Sequence, residues 1–251
     1  MTPEPEWPVT FFDDDYLKIY RTSFTPEKTE AEVEFIAAAL ALPAGARVLD
    51  LACGLGRHAL GMAKRGYRVT GLDFNPRYLE IAAEQAKASG ARVGWIRSDM
   101  RELPFEAEFD GVYSFFTSFG YFSDEQNEDV LERIARSLKP RGVLLLDLAN
   151  RDWIVTHARQ RTWDQRDDGS LVMEEATFDL PSSRVTSRLT LISEAGPRVI
   201  KAFDLRTYTC AELSALLRRH GFEVRSVWGG ADRSEYSTES RRLVLLAALR
   251  S

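Results

Sequence analysis

Two glycines and a set of spaced aspartates carry most of the chemical information in this chain. Asp50-Leu51-Ala52-Cys53-Gly54-Leu55-Gly56-Arg57-His58-Ala59 lies where an apolar run gives way to a helical repeat. Gly54 and Gly56 allow a sharp backbone turn and leave room for a ligand beside it. The helix start beyond them offers unpaired N–H groups and partial positive charge. Asp73 closes the next apolar run, 19 residues after Gly54. Such a G-x-G-x-x-A turn with a later acid fits a dinucleotide fingerprint, although short glycine patterns also recur by chance. Asp50 stands inside an apolar strand, where a carboxylate is costly unless it meets a donor or a cation. Asp99-Met100 set an acceptor beside an apolar side chain, which suits the amino group and ring face of adenine.

Candidates for a base or nucleophile are few. Of three histidines, His58 reads as a local hydrogen-bonding group and His220, before Gly221, as a partner of helix electrostatics. His157 lies near the expected acceptor side and is the candidate base. None stands at metal-ligand spacing with a cysteine or a second histidine, so no metal is expected. Cys53 and Cys210 form no disulfide framework, and Cys53 reads as a small buried turn residue rather than an activated thiol. The stretch Ser114-Phe115-Phe116-Thr117-Ser118-Phe119-Gly120-Tyr121-Phe122 is denser in aromatics than a surface loop. In a parallel sheet it would lie at the ligand crevice. Asn150, Arg151 and Trp153 leave a strand at the same edge. Arg151, Arg159, Arg161 and Arg166, with Trp153 and Trp163, suit either RNA stacking or a solvated face paired with Asp152, Asp164, Asp167 and Asp168.

These residues need elements to position them. Strands are expected at 47–52, 68–72, 92–96, 109–114 and 143–149. Helices are expected at 57–65, at 76–88 behind Asn75-Pro76, and at 124–138 behind a Ser123/Gln126 capping box. An earlier helix starts at Thr25-Pro26 and repeats Val33, Ile36, Ala37 and Leu40. Strand–helix alternation with near-continuous apolar strands implies a parallel sheet covered on both faces. After Asn150 the rhythm changes: LVMEEATFDL, SRVTSRLTLIS and PRVIKAFDLRTY read as three antiparallel strands. A Thr209/Glu212 capping box then opens a last helix, followed by strands at 222–228 and 241–249. Phe12, Tyr16 and Tyr20 recur at i, i+4, i+8, so 13–21 reads as a short helix with one aromatic face.

The 251 residues carry 44% apolar and 28% charged side chains, a globular composition. No apolar run approaches the length of a membrane span. The N-terminus lacks a basic region followed by an apolar stretch, so a cytoplasmic address is expected. A net charge of −5 disfavours a nucleic-acid partner.

Taken together, Asp50-x-x-x-Gly54-x-Gly56, Asp73 and Asp99-Met100 resemble the motifs of the class I S-adenosylmethionine-dependent methyltransferases. The resemblance covers roughly 30–150 and 209–250, and rests on the spaced motifs jointly. It implies an α/β, Rossmann-like, mostly parallel seven-stranded sheet of order 3-2-1-4-5-7-6 with the last strand antiparallel. A small antiparallel β insertion would follow strand 5. The insertion is similar to that of small-molecule N- and O-methyltransferases of the sugar N-methyltransferase type. The implied organisation is an N-terminal lid at 1–25, a cofactor domain at 26–157 and 209–251, and an acceptor-side cap at 158–208.

The resemblance also implies roles. Asp73 accepts the ribose hydroxyls, Phe74 and Met100 pack on the adenine faces, and Asp99 meets its amino group. Cys53, Gly54 and Gly56 line the methionine portion, Asp50 orients the ammonium, and Phe115 lies against the cofactor. Tyr16, Tyr20 and Arg21 close above its carboxylate and methyl group, while Tyr121, Asn150, Arg151 and Trp153 face the acceptor. Tyr20, Tyr121 and His157 are the candidate catalytic groups. The expected reaction is methyl transfer to O or N of a small molecule by a monomer or homodimer. No Asn/Asp-Pro-Pro-Tyr motif is recognisable, which argues against nucleobase and glutamine amide acceptors. A nicotinamide-dependent oxidoreductase, an RNA methyltransferase and a non-enzymatic cofactor-binding protein remain the alternatives.

Overall fold

Alternate residues of the central strands face opposite layers, and that alternation sorts the core. In the computed structural model, which describes residues 10–157, 161–166, 168–193, 196 and 198–250, β4 (Phe109–Ser114) sends Val112 to one layer and Tyr113 to the other. On β5 (Leu138–Ala149), Leu144 and Leu146 join the first layer and Leu145 the second. Helices α2 (Pro26–Leu40) and α3 (Arg57–Lys64) cover one face with Val33, Ile36, Ala59 and Met62. On the other, α5 (Asp124–Ser137) and α7 (Cys210–Arg219) pack Leu131, Ile134, Leu213 and Leu217. Each of those side chains is fully removed from water, which is the main drive for closing the sandwich.

The remaining strands of this sheet are β1 (Arg47–Leu51), β2 (Arg68–Asp73), β3 (Val93–Arg97), β10 (Phe222–Trp228) and β11 (Arg242–Leu249). Their order is β3-β2-β1-β4-β5-β11-β10. β11 runs antiparallel to both neighbours, and the other pairings are parallel. Numbered within this sheet alone, the order is the expected 3-2-1-4-5-7-6. The expected caps are present: Thr25 on α2, Asn75 on α4 (Pro76–Ser89), and capping boxes at Ser123/Gln126 and Thr209/Glu212.

A second sheet, ordered β6-β7-β8-β9, is antiparallel throughout. It comprises β6 (Arg161–Gln165), β7 (Leu171–Asp179), β8 (Arg184–Ile192) and β9 (Val199–Arg206). Its inner face packs Val172, Leu189 and Leu191 against Phe11 and Ile19 of the N-terminal segment, which forms α1 (Asp14–Tyr20) and a 310 turn at Arg21–Ser23. Residues 1–9 of the expected lid lie outside the described residues.

Two local expectations need correction, and one helix carries no signal in the sequence. The insertion has four strands, not three: every residue of β6 is exposed, so no period-2 pattern marks it. Residues 151–157 form helix α6, which buries no side chain and so gives no apolar repeat. Finally, the helix expected to reach 138 ends at Ser137, and β5 starts at Leu138 rather than 143. Pro140 forces the residue before it out of the helical region, and Leu138 pairs instead with Phe109 of β4.

Candidate functional site

The turn after β1 is wound through left-handed conformations at Ala52 (φ 59°), Gly54 (φ 54°) and Gly56 (φ 72°). The two glycines answer different demands. A Cβ on Gly56 would meet the Trp95 ring at 2.4 Å, so this position is fixed by packing. A Cβ on Gly54 would meet nothing within 4 Å, because this glycine borders a cleft. The cleft encloses about 1050 Å³ of empty space, open mouth included, at the upper end of the range for small-molecule sites.

Asp73, at the end of β2, is 5% exposed. Its Oδ2 accepts from Gly54 N at 2.8 Å and its Oδ1 from Asn75 N at 2.9 Å. Burial pushes its carboxyl up to about 6, against the pull of the Asn75, Gly54 and Phe74 amides. Each oxygen keeps a further lone pair for a ligand hydroxyl. Asp50 is buried deeper, and burial raises it to about 7, opposed by the Tyr113 hydroxyl, Arg57 and the Ala59 amide. Its Oδ2 has no hydrogen-bond partner among the described residues. Asp99 caps a 310 turn at Met100–Glu102, accepting from Arg101 N at 2.8 Å and from the same guanidinium at 2.9 and 3.1 Å. It serves the loop and lines the cleft with Met100 and Phe74. Cys53 also lies in the wall, and burial raises its thiol, the reverse of activation.

Across the cleft, Phe115, Phe116 and Thr117 follow β4. Phe116 (φ 71°) and Thr117 (φ 58°) are two consecutive non-glycine residues in the left-handed region, a costly arrangement that surroundings must enforce. Asp147 enforces it. Its Oδ2 accepts from Phe116 N at 2.8 Å, its carbonyl accepts from Thr117 N at 3.0 Å, and Arg242 clamps both carboxylate oxygens at 2.7 and 2.6 Å. Sequence reading missed this pair. The signal was present, since Asp147 interrupts an apolar strand just as Asp50 does.

The aromatic N-terminal segment roofs the cleft with Phe12, Tyr16 and Phe24. Tyr16 packs on Tyr20 at 4.6 Å between ring centroids, Tyr20 meets Phe116 at 6.0 Å, and Phe12 meets Tyr121 at 5.6 Å. Burial raises the phenols of Tyr16, Tyr20 and Tyr121 above their ordinary value. They stay protonated at neutral pH and can donate hydrogen bonds but not abstract protons. The Arg21 side chain lies outside the described atoms.

Four expected acceptor-side residues stand apart from the cleft walls. Asn150 is buried, donating to the Ser237 and Ser240 carbonyls at 2.9 and 2.8 Å. Arg151 bonds Ser183 and Asp152 and lies over Phe178. Trp153 stacks on His157, whose Nε2 is 3.1 Å from Glu239. Asn150 is held by those carbonyls, and α6 then carries Arg151 to Ser183 and Phe178 and carries Trp153 and His157 to Arg241 and Glu239. His58 bonds Glu32 on α2 at 2.9 Å, not its own turn, and burial lowers it. Arg159 and Asp167 of the basic stretch lie outside the described residues, while Arg161 and Arg166 pair with Glu175 and Asp164.

The cleft passes a test of fit for an adenosyl amino acid. Three of its lining residues hold buried polar atoms with no partner among the described residues: Asp50 Oδ2, Arg57 Nη2 and Thr117 Oγ1. Such atoms cost stability unless a ligand satisfies them. An anion-acceptor and a cation-donor left open together match an amino-acid zwitterion, and Asp73 matches a ribose diol. No group of three His, Cys, Asp or Glu side chains among the described residues is placed to hold a metal, and no described helix is long and apolar enough to cross a membrane.

Comparison with known proteins agrees with this chemistry. A family profile described as "Methyltransferase domain" matches residues 48–142, which span β1 to β5. The Bacillus subtilis (strain 168) protein YqeM, named as a methyltransferase, is 30% identical over 213 residues, covering 82% of this chain and 85% of its own. Among solved structures, the CcbJ methyltransferase of Streptomyces caelestis has a TM-score of 0.81 at 21% identity, covering 91% of this chain and 92% of its own. CalS10 of Micromonospora echinaspora, an amino pentose methyltransferase solved with S-adenosylmethionine bound, has a TM-score of 0.68 at 23% identity, covering 94% and 97%. The two solved structures share the fold, and the YqeM match extends over most of both chains. With the glycine turn, the buried strand-tip carboxylate and the sheet order in place, the chain belongs to the class I S-adenosylmethionine-dependent methyltransferases.

Proposed function

We propose that this protein transfers the methyl group of S-adenosylmethionine to an oxygen or nitrogen of a small-molecule acceptor. The observation that carries the reading is Asp73, a buried carboxylate with a lone pair free on each oxygen, beside a glycine turn and the orphaned Asp50. When bound, the cofactor supplies an electrophilic methyl group on sulfonium, so the protein mainly aligns and desolvates.

Asp73 takes the ribose hydroxyls. Phe74 and Met100 hold the adenine between them, and Asp99 accepts from its amino group. Gly54 and Cys53 let the methionine portion approach the backbone, where Gly56 holds the turn against Trp95, with Asp50 on its ammonium and Phe115 against its chain. Tyr16, Tyr20 and Tyr121 exclude water above the methyl group, and their protonated hydroxyls orient the acceptor. In this reading 1–25 is the lid, with Arg21 among its residues, and 158–208 the acceptor-side cap of a cofactor domain formed by 26–157 and 209–251. Two free cysteines suit a cytoplasmic enzyme, and we place it there as a monomer or homodimer. A small acceptor is favoured by the enclosed, aromatic cleft and by the amino pentose named for CalS10.

Calorimetry with S-adenosylmethionine and S-adenosylhomocysteine tests the reading, with saturable binding in the micromolar range expected. Stabilisation by NAD or NADP in place of these would favour the oxidoreductase. Methyl label from the cofactor should enter a metabolite extract, whereas label confined to a nuclease-sensitive fraction would replace the small acceptor with RNA.

A further inference from the structure

Among the described residues, Arg57 is the one guanidinium in the walls of the cleft, and half of its donor edge is in use. Its Nη1 pairs with Glu32 and donates to Thr29 Oγ1 at 3.2 Å. Its Nη2 is buried and has no partner among the described residues. The guanidinium is flanked by the rings of Phe24 and Phe116, at 5.4 and 5.8 Å from their centroids. Glu32 is itself fixed by His58 at 2.9 Å, so the arginine is held from behind and oriented by two aromatic neighbours. A buried donor left open costs stability unless a ligand takes it, and among the described arginines with such an atom Arg57 is the one that lines the cleft. Asp50 Oδ2, in the same cleft, is open in the opposite sense.

We infer that Arg57 recognises the carboxylate at the amino-acid end of the cofactor, as the counterpart of Asp50 on its ammonium. The inference rests on the reading of the cleft as the S-adenosylmethionine site. It moves the carboxylate partner from Arg21, suggested by family likeness, to a residue on the first turn of α3. Glu32 is the positioning residue that holds Arg57 in place. The pair makes the site select a complete amino acid rather than any adenosyl thioether.

Three ligands separate the possibilities: S-adenosylmethionine, its decarboxylated form, and 5′-methylthioadenosine, which lacks the amino-acid end. The wild type should prefer S-adenosylmethionine to the decarboxylated form by at least about tenfold in Kd, because charge-assisted pairs are the strong ones. In Arg57→Met that preference should collapse to within about twofold, while 5′-methylthioadenosine binds as before and so reports an intact adenosine pocket. Arg57→Lys, which keeps the charge but loses the planar fork, should fall between the two. Persistence of the carboxylate preference in Arg57→Met, its loss in Arg21→Met instead, or a parallel loss of all three ligands would each overturn the assignment. If the wild type binds none of the three, the cofactor reading fails first and takes this inference with it.

Discussion

The two sides of the cleft are held by different kinds of bond. On the parallel-sheet side, Asp73 fixes backbone amides at Gly54 and Asn75, and Cys53 N donates to the Leu72 carbonyl at 3.0 Å. These contacts join strand tips already in register. On the roof side, α1 is tied down by scattered side chains. Lys201 of the antiparallel sheet reaches the Thr10 carbonyl at 2.7 Å and pairs with Asp13, Arg166 reaches the Ile19 carbonyl at 2.9 Å, and Asn75 reaches the Phe12 carbonyl at 2.7 Å. Backbone anchoring makes the first wall part of the fold itself. Side-chain ties across long stretches of sequence hold the second, and if they open together the roof is a local unit with its own opening free energy.

The largest effect expected from that contrast is at Asp73. Asp73→Ala removes the acceptor for two ribose hydroxyls, each a hydrogen bond to a charged group worth ~1.5–3 kcal/mol. Affinity for S-adenosylhomocysteine should drop about a hundredfold or more, with the circular dichroism spectrum unchanged. A drop of less than about threefold would mean that Asp73 only caps its loop.

The same residue sharpens the contrast through pH. Burial lifts the folded carboxyl to about 6 from 3.8 in the ordinary case, so the folded state holds this proton more tightly than the unfolded chain. Its contribution to ligand-free stability is therefore full below about pH 4 and is lost as pH rises through about 6. Asp50, raised to about 7, acts in the same direction. Asp13 and Asp110, whose carboxyls are lowered by their lysine partners, and Glu32, lowered by its hydrogen bond with His58 and by Arg57, act in the opposite one. The informative measurement is thus the difference between wild type and Asp73→Asn. Ligand binding needs the ionised carboxylate, so wild-type affinity should weaken by up to about tenfold per pH unit below 6, and Asp73→Asn should flatten that slope. Stability and affinity then change with pH in opposite directions, a divergence that calorimetry and thermal melts together can refute.

The ease of reading the two sides from sequence follows the same division. The glycine turn, Asp73 and Asp99 sit at ends of apolar strands, where local spacing reveals them, while the sheet order follows from the family resemblance that those motifs carry. Asp147 is marked in the sequence only as a carboxylate inside an apolar strand, and its pairing with Arg242 joins residues 95 apart, a separation at which no short pattern announces an antiparallel partner. Asn150, Arg151, Trp153 and His157 follow a strand whose tip faces the crevice, and on sequence alone that directs them at the acceptor. A helix with no apolar repeat turned them away. Strand β6 was hidden for a related reason: where both faces meet water, burial writes no alternation into the sequence. The ties of the roof are equally silent, since nothing local to Lys201 or Arg166 indicates that either reaches a main-chain carbonyl of the N-terminal segment.

The smallest effect is the one that best tests whether the roof opens on its own. Lys201 is nearly buried, and its ammonium serves only the N-terminal segment among its described partners, the Thr10 carbonyl and Asp13. Lys201→Met keeps the length and packing of the chain while removing both contacts, at a cost of about 1–2 kcal/mol to the docked segment. If the segment docks as a unit separate from the sheet, that cost falls on docking. Proteolytic cleavage within 10–24 should then accelerate about tenfold, S-adenosylhomocysteine should dissociate two- to fivefold faster, and the melting temperature should move by no more than about 2 °C. A melting temperature that falls by about 5 °C with no change in dissociation would instead join the roof to the global fold. In that case the two walls would be one cooperative structure, and the ligand would enter without the roof opening as a unit.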